Sequence, residues 1–358
     1  MVTQMRVAAL AVLVLAAAGC EQKSASSQSQ ETADAGSAKV EGKVEKAFAN
    51  AVKARGVPAA ASSSGPPADG IMEPARADAE VPPGAPPQVT VGSEGTAPKL
   101  LLRNPKATLP ATASVELTIQ GGSEQGLPPI TVELSMESKK AKVEKSASFV
   151  VAKIKAVRIG IPNVPKEFAD QLAGLKGGKI GFSMTEQGAG FGYATELASG
   201  AKPELKDFID AVAEGLSMLA LPVPSVPVGA GAVWMVVSRD TTAGFGFMSY
   251  RMVKLVNATD KTAELEFDAR RYATTRAVDP ALLPPGSQAQ QLVEMSAGSK
   301  ARLKISVDRA LATELEGDSA LRGTIGGPEA IGGPPGQRGA GQQRILQSAT
   351  AYRISTAR

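Results

Sequence analysis

The chain has no histidine and a single cysteine, Cys20, in 358 residues. Without imidazole, no side chain ordinarily titrates near neutrality. A histidine general base, a histidine metal ligand and a histidine pH switch are therefore excluded. With one thiol there is no internal disulfide, and Cys/His zinc sites are excluded outright. Serine nucleophiles lose their usual imidazole partner. Aromatic residues make up only 4% of the chain, with one tryptophan, Trp234. Neither sign of charge predominates, since 39 basic and 35 acidic residues leave a formal net charge of +4, and the basic residues are scattered. A nucleic-acid binder would show clustered basic charge with interleaved aromatics, so nucleic acid is not an expected partner. The nearest basic cluster is Lys139, Lys140, Lys142 and Lys145. It reads as a solvated turn between strands, or as a contact with anionic lipid or wall polymer.

The N-terminus carries a targeting pattern. Arg6 supplies a short positive segment, and Val7–Ala18 is an apolar run of about a dozen residues. That is short of the roughly 20 needed to span a bilayer as a helix, but it suits a secretory core segment. Small residues follow at Ala16 to Gly19, then Cys20. The pattern resembles the bacterial lipoprotein signal, in which a small pair precedes a cysteine that becomes the lipidated first residue. An alternative stays open, because Ala16-Ala17-Ala18 is also an A-x-A site for ordinary signal peptidase, which would leave Cys20 as a spare thiol. Glu21, not aspartate, follows the cysteine. By resemblance to enteric lipoproteins this points to the outer membrane. Removing residues 1–19 takes away Arg6 alone, so +4 becomes +3.

Residues 20–88 form the next expected unit. They are rich in Ser, Ala, Gln, Gly and Pro, as in "SASSQSQ" and "EVPPGAPPQ". Such composition cannot offset chain entropy by apolar burial, so the stretch reads as a disordered tether. A flexible coil of that length would reach about 45 Å. The remaining residues, about 270 of them, are ample for an apolar core.

The folded region is expected over residues 89–322, mainly from period-two alternation. Val115, Leu117 and Ile119 share one face. Ile130, Val132, Leu134 and Met136 share another, with polar residues between them. Further strands are expected at Phe149–Ile159, at Val233–Arg239, Gly244–Asn257, Ala263–Ala273 and Ala301–Arg309, and in a hairpin of Lys179–Thr185 with Ala189–Leu197. Helices are expected near 165–175 and 203–221. In the second, Leu205, Phe208, Ile209, Val212, Leu216 and Leu219 make an apolar stripe at helical spacing. Residues 323–343, Gly/Pro-rich, are expected to be flexible, and 344–358 to return as a final strand and tail. Two strand triplets, one before and one after the helical region, raise the option of an internal repeat. The fold class is therefore mainly β (α+β), a curved open antiparallel sheet or half-barrel on one or two helices. A β-sandwich or two repeated sheet modules is the alternative. The first layout is similar to that of the half-barrel periplasmic lipoprotein carriers, by architecture alone.

Candidate chemistry is sparse. "GFGF" at Gly244–Phe247 lies in a strand, and "GGPEAIGGPPG" places prolines where a phosphate cradle needs N–H groups; neither is a nucleotide motif. Glu264, Glu266 and Asp268 alternate along one strand face, which reads as solvated. Met248, Met252 and Met295 read as core filler before copper ligands. No catalytic residue, metal site or cofactor is expected, and an enzyme is the least favoured class. Trp234 reads as a core anchor, with ligand stacking as the weaker option.

Pro227, Val228, Gly231 and Trp234 form P-V-x-x-G-x-x-W, and "APKLLLRNP" precedes it at Ala97–Pro105. Together these resemble a group of uncharacterised bacterial lipoproteins, common in myxobacteria, that carry a domain of unknown function, over roughly residues 95–310. The resemblance implies a tethered envelope protein and brings no catalytic residues with it. The expected function is a lipid-anchored, non-catalytic module. Its partners are the membrane, through Cys20, and an apolar ligand or an envelope protein. A structural or assembly lipoprotein without a small ligand is the alternative.

Overall fold

A computed structural model describes residues 67–103, 107–120, 127–140, 148–242, 244–278, 290–327 and 343–357. In chain order the elements begin with helix α1 (Pro74–Glu80) and strands β1 (Gln88–Ser93), β2 (Thr96–Leu100), β3 (Thr112–Gln120), β4 (Ile130–Lys140) and β5 (Ser148–Ile159). Helix α2 (Lys166–Ala173) and strands β6 (Lys179–Met184) and β7 (Gly190–Glu196) follow. A 3-10 turn at Pro203–Leu205 leads into helix α3 (Lys206–Leu219). The remaining strands are β8 (Val228–Ala230), β9 (Val233–Thr242), β10 (Phe245–Ala258), β11 (Thr262–Ala273), β12 (Gln291–Ser306), β13 (Glu314–Gly326) and β14 (Arg344–Ala357).

Twelve of these strands form one antiparallel sheet in the order β1-β9-β10-β11-β12-β13-β14-β3-β4-β5-β6-β7, and β2 pairs separately with β8. The protein is mainly β, and the sheet is open. The sandwich and the two-module alternatives are set aside, because β3–β5 and β9–β11 lie in the same sheet with β12–β14 between them.

Strands sit about 4.8 Å apart, so a flat sheet of this width would extend about 50 Å. Helix α3 nevertheless lies against β7, β9, β13, β14 and β3, which are scattered through the order. The last strand, β7, also meets β9 near the opposite edge, with no ladder between them. Both contacts require the sheet to curl around α3. The apolar stripe explains why the helix sits inside: Leu205, Phe208, Ile209, Val212, Leu216 and Leu219 are all buried. They meet inward residues of the strands such as Val115, Leu117, Ile154, Val253 and Ile354.

Three expected boundaries move. The tether does not reach residue 88. Residues 67–88 belong to the fold, with Ile71, Met72, Ala77 and Val81 buried. Met72, Ala77 and Val81 cover Met235, Val237 and Met248 on the outside of β9 and β10. Tyr250 donates to Glu80 at 2.7 Å, and Arg239 pairs with Asp78 at 3.1 Å. Strand β12 starts ten residues before the expected Ala301. Strand β13 carries an unforeseen ladder on both sides and runs to Gly326, into the segment expected to be flexible. Residues 328–342, most of that segment, lie outside the described residues, as do the signal region and tether through residue 66.

Candidate functional site

Alternation assigns each strand residue to the concave or the convex side of the curled sheet. Register then places concave residues in rows across the strands. One row holds Trp234, Val253, Phe267, Ala301, Gly317, Tyr352 and Leu117. Two residues along the strands lies a row with Arg251, Ala269, Ser299, Ser319 and Thr350, and next to that a row with Ser238, Ser249 and Arg271. Beyond them the face turns apolar again at Phe247, Ala273, Met295 and Leu346. A two-row polar belt thus separates the core around α3 from a second apolar cluster.

The belt is buried and charged. Glu214 reaches it from α3. Arg271 donates to the Glu214 carboxylate at 2.5 Å, and the Ser319 hydroxyl donates to the same oxygen at 2.7 Å. Arg251 donates to Asp240 at 3.0 Å, and Ser238 donates to Asp240 at 3.2 Å. The Arg271 guanidinium also stands over the Phe247 ring, 5.9 Å from its centroid, which adds a cation–π contribution. Burial alone would lower the Arg271 pKa. The Glu214 carboxylate, and Asp240 further off, more than offset that and raise it. Burial, with Glu214 beside it, raises the Tyr352 hydroxyl well above its ordinary range, Arg271 opposing. From the far edge of the sheet, Tyr193 on β7 stacks on Phe182 at 4.8 Å. Burial raises its hydroxyl too, with Arg251 opposing and Asp240 adding to the effect.

Not every donor in the belt is used. Among the described residues, Arg251 Nε, Arg271 Nε and Nη2, and the hydroxyls of Ser249 and Ser299 are buried without a hydrogen-bond partner. Leaving a buried donor unpaired costs about 1–3 kcal/mol, more for charged groups. Ala269, between Arg251 and Ser299 in register and two residues from Arg271, contributes only a methyl group to the middle of this set. The belt therefore presents donors around a short side chain.

The expected site residues fall elsewhere or play other parts. Trp234 is fully buried in the core around α3, and its indole N–H donates to Pro222 O at 3.1 Å. Cys20 lies outside the described residues. Glu264, Glu266 and Asp268 face Lys304, Arg302 and Lys300 across the β11–β12 ladder on the convex side. Arg302 pairs with Glu266 at 2.9 Å and Lys300 with Asp268 at 3.4 Å. An open depression of about 540 Å³ lies over this ion-pair field, between Glu116, Glu266, Arg302, Glu316 and Arg353. Met248 and Met252 pack in one cluster and Met295 in another, so they do not converge. Ser199 and Lys202, an S-x-x-K pair that the sequence reading missed, are both exposed in the turn after β7. Lys139 and Lys140 end β4 in exposed positions, and Lys142 and Lys145 lie outside the described residues. Arg103 is a further buried cation. Desolvation pushes it down to about 10, and its Nη1 donates to Gln187 O at 3.0 Å.

Glu214, Arg251 and Arg271 were not singled out in the sequence. The available signal was a break in alternation: a charged residue at the inward parity of β10 and of β11. Comparison with protein-family models, with curated proteins and with solved structures finds no match to this chain.

Proposed function

We propose that the chain is a lipid-anchored cell-envelope protein, exported and held at Cys20, whose curled sheet is a non-catalytic binding module for an apolar ligand. The signal pattern ending at Cys20, and the resemblance to the myxobacterial-type lipoprotein group, support export and anchoring, with the outer membrane favoured by Glu21. The observation that carries the binding reading is the concave face itself. Two apolar clusters flank a belt of buried donors without partners. Binding sites commonly combine mostly apolar walls with a few placed polar groups. Catalysis gains no support from the belt, since its carboxylates are each engaged by an arginine.

A second reading, docking to an envelope protein, draws on one feature. Leu101 and Val226 are exposed large apolar residues just beyond one end of the β2–β8 ribbon, where Leu100 pairs with Val228. Native mass spectrometry of the full chain, purified gently from membranes, tests the first reading. A retained lipid-sized mass is expected, and a repeatedly clean protein mass would overturn it in favour of docking.

A further inference from the structure

The belt's charge balance narrows what such a ligand looks like. Arg271 is matched by Glu214, and Arg251 by Asp240, so the two cations and two carboxylates of the belt cancel. The groups left over are Arg251 Nε, Arg271 Nε and Nη2, which only donate, and the Ser249 and Ser299 hydroxyls, which donate or accept. An anionic head group would gain those hydrogen bonds. It would also bring a third negative charge into a buried site already holding two carboxylates, where an unbalanced charge is costly. A neutral group rich in acceptors gains the same bonds without that cost. It must be small enough to stand over Ala269, between Ser299 and the two arginines.

The surroundings set the rest of the molecule. On one side of the belt α3 fills the concavity, with Leu216 and Val212 fully buried. On the other, Phe247, Met295 and Leu346 continue the concave face towards the strand ends, and Leu321 of the same cluster extends the second belt row beyond Arg271. Leu346 and Leu321 are the least tightly covered of these, at 8% and 7% exposure. Met295 is unbranched and readily rearranged. Entry of an alkyl tail on this side requires these side chains to be displaced, which the flexible Met295 and the less covered Leu321 and Leu346 permit.

We propose that the belt binds the carbonyl group of an uncharged acyl ester or amide, with the ligand's chain lying along the Phe247–Met295–Leu346 side. This rests on the binding-module reading above and adds the head-group chemistry to it. The unpaired donors, neighbours in register around Ala269, call for acceptor oxygens, and the neutrality of the belt selects an uncharged acyl derivative over a free fatty acid.

The test uses the full chain and three probes below their micellar concentrations at pH 8. These are 1-monolauroylglycerol, its ether analogue 1-O-dodecylglycerol, which lacks only the carbonyl, and laurate. Titration calorimetry is expected to give one-to-one binding of the ester, about tenfold tighter than the ether or laurate. A tenfold change corresponds to about 1.4 kcal/mol, the order of one hydrogen bond to a charged donor. Ser249→Ala and Ser299→Ala, which delete only hydroxyls, are expected to weaken the ester about fivefold each and leave the ether unchanged. Thermal unfolding checks that both variants stay folded. Equal affinity for ester and ether, or a preference for laurate, would overturn the carbonyl assignment while leaving an apolar-ligand module standing. If none of the three binds, the assignment and the apolar-ligand reading fall together.

Discussion

Glu214 places a carboxylate on a helix that is buried nearly all the way round, and among the described residues its ion-pair partner is Arg271. Breaking a buried pair by removing one partner costs about 3–5 kcal/mol, because the other charge is left uncompensated. Glu214→Leu is expected to lose stability of that order in urea unfolding. Adding Arg271→Met is expected to recover most of it, since a well-packed apolar replacement of both partners is often neutral. No recovery in the double variant would mean that the pair stabilises the fold beyond charge compensation. Asp207, in the first turn of α3, has its pKa raised above 3.8, chiefly by desolvation, with Asp210 adding and Lys206 opposing. A raised carboxyl favours the folded state in its protonated form. Its contribution is therefore full below pH 3.8 and is lost as pH rises through the higher folded value. Asp207→Asn is expected to flatten that part of the stability–pH curve, which acid-range denaturant titrations would read. At this scale the sequence told the apolar positions of α3 well and its polar ones poorly. The stripe from Leu205 to Leu219 announced an inward face, but nothing local announced that Glu214 and Ser217 would be enclosed too. Only the curl of a distant sheet does that.

Strand β10 shows the same dependence among elements. Met248, Tyr250 and Met252 point to the convex side, opposite Phe247, Ser249 and Arg251, so both faces carry large side chains. The convex face is covered because the chain before β1 returns across it as α1 and its flanks. Met72 is 2% exposed there, and truncating a buried methionine to alanine costs about 2–5 kcal/mol. Met72→Ala is expected to destabilise the domain by that order. A chain beginning at residue 67 should unfold like the full one, whereas a chain beginning at 89 should bind a hydrophobic dye and unfold earlier. Equal stability of all three would show that α1 is dispensable. The composition of 67–88 hid this, since its prolines and small residues also describe a linker, and its buried residues are few. Strand β13 was hidden for another reason. Its concave positions read Leu315, Gly317, Ser319, Leu321, Gly323 and Ile325, so half of the inward signal is polar or absent. Gly317 lacks a side chain because a Cβ there would stand 2.4 Å from Lys300 O. Ser319 is polar because it serves Glu214. The features that build the belt are those that erase the strand's hydrophobic period.

For the molecule as a whole, strong period-two and helical patterns were enough to read a mainly β chain folded on an amphipathic helix. The order of twelve strands in one curled sheet was not readable, because it depends on which edges meet at long range. Trp234 provides a global reporter, being the single tryptophan and fully buried. Its fluorescence is expected to be blue-shifted and to move red in one step with denaturant. A native spectrum already red would contradict its place in the core. Anchoring belongs to this scale as well, because a tethered binding domain and a soluble secreted one differ in every encounter they make. The most direct test compares wild type with Cys20→Ser by membrane fractionation and intact mass. The expected result is a membrane-bound wild type whose mass includes acyl chains on a chain starting at Cys20, and a variant that lacks them and leaves the membrane fraction. Equal solubility of the two, with a wild-type mass that carries no acyl chain, would contradict a lipid-anchored envelope protein.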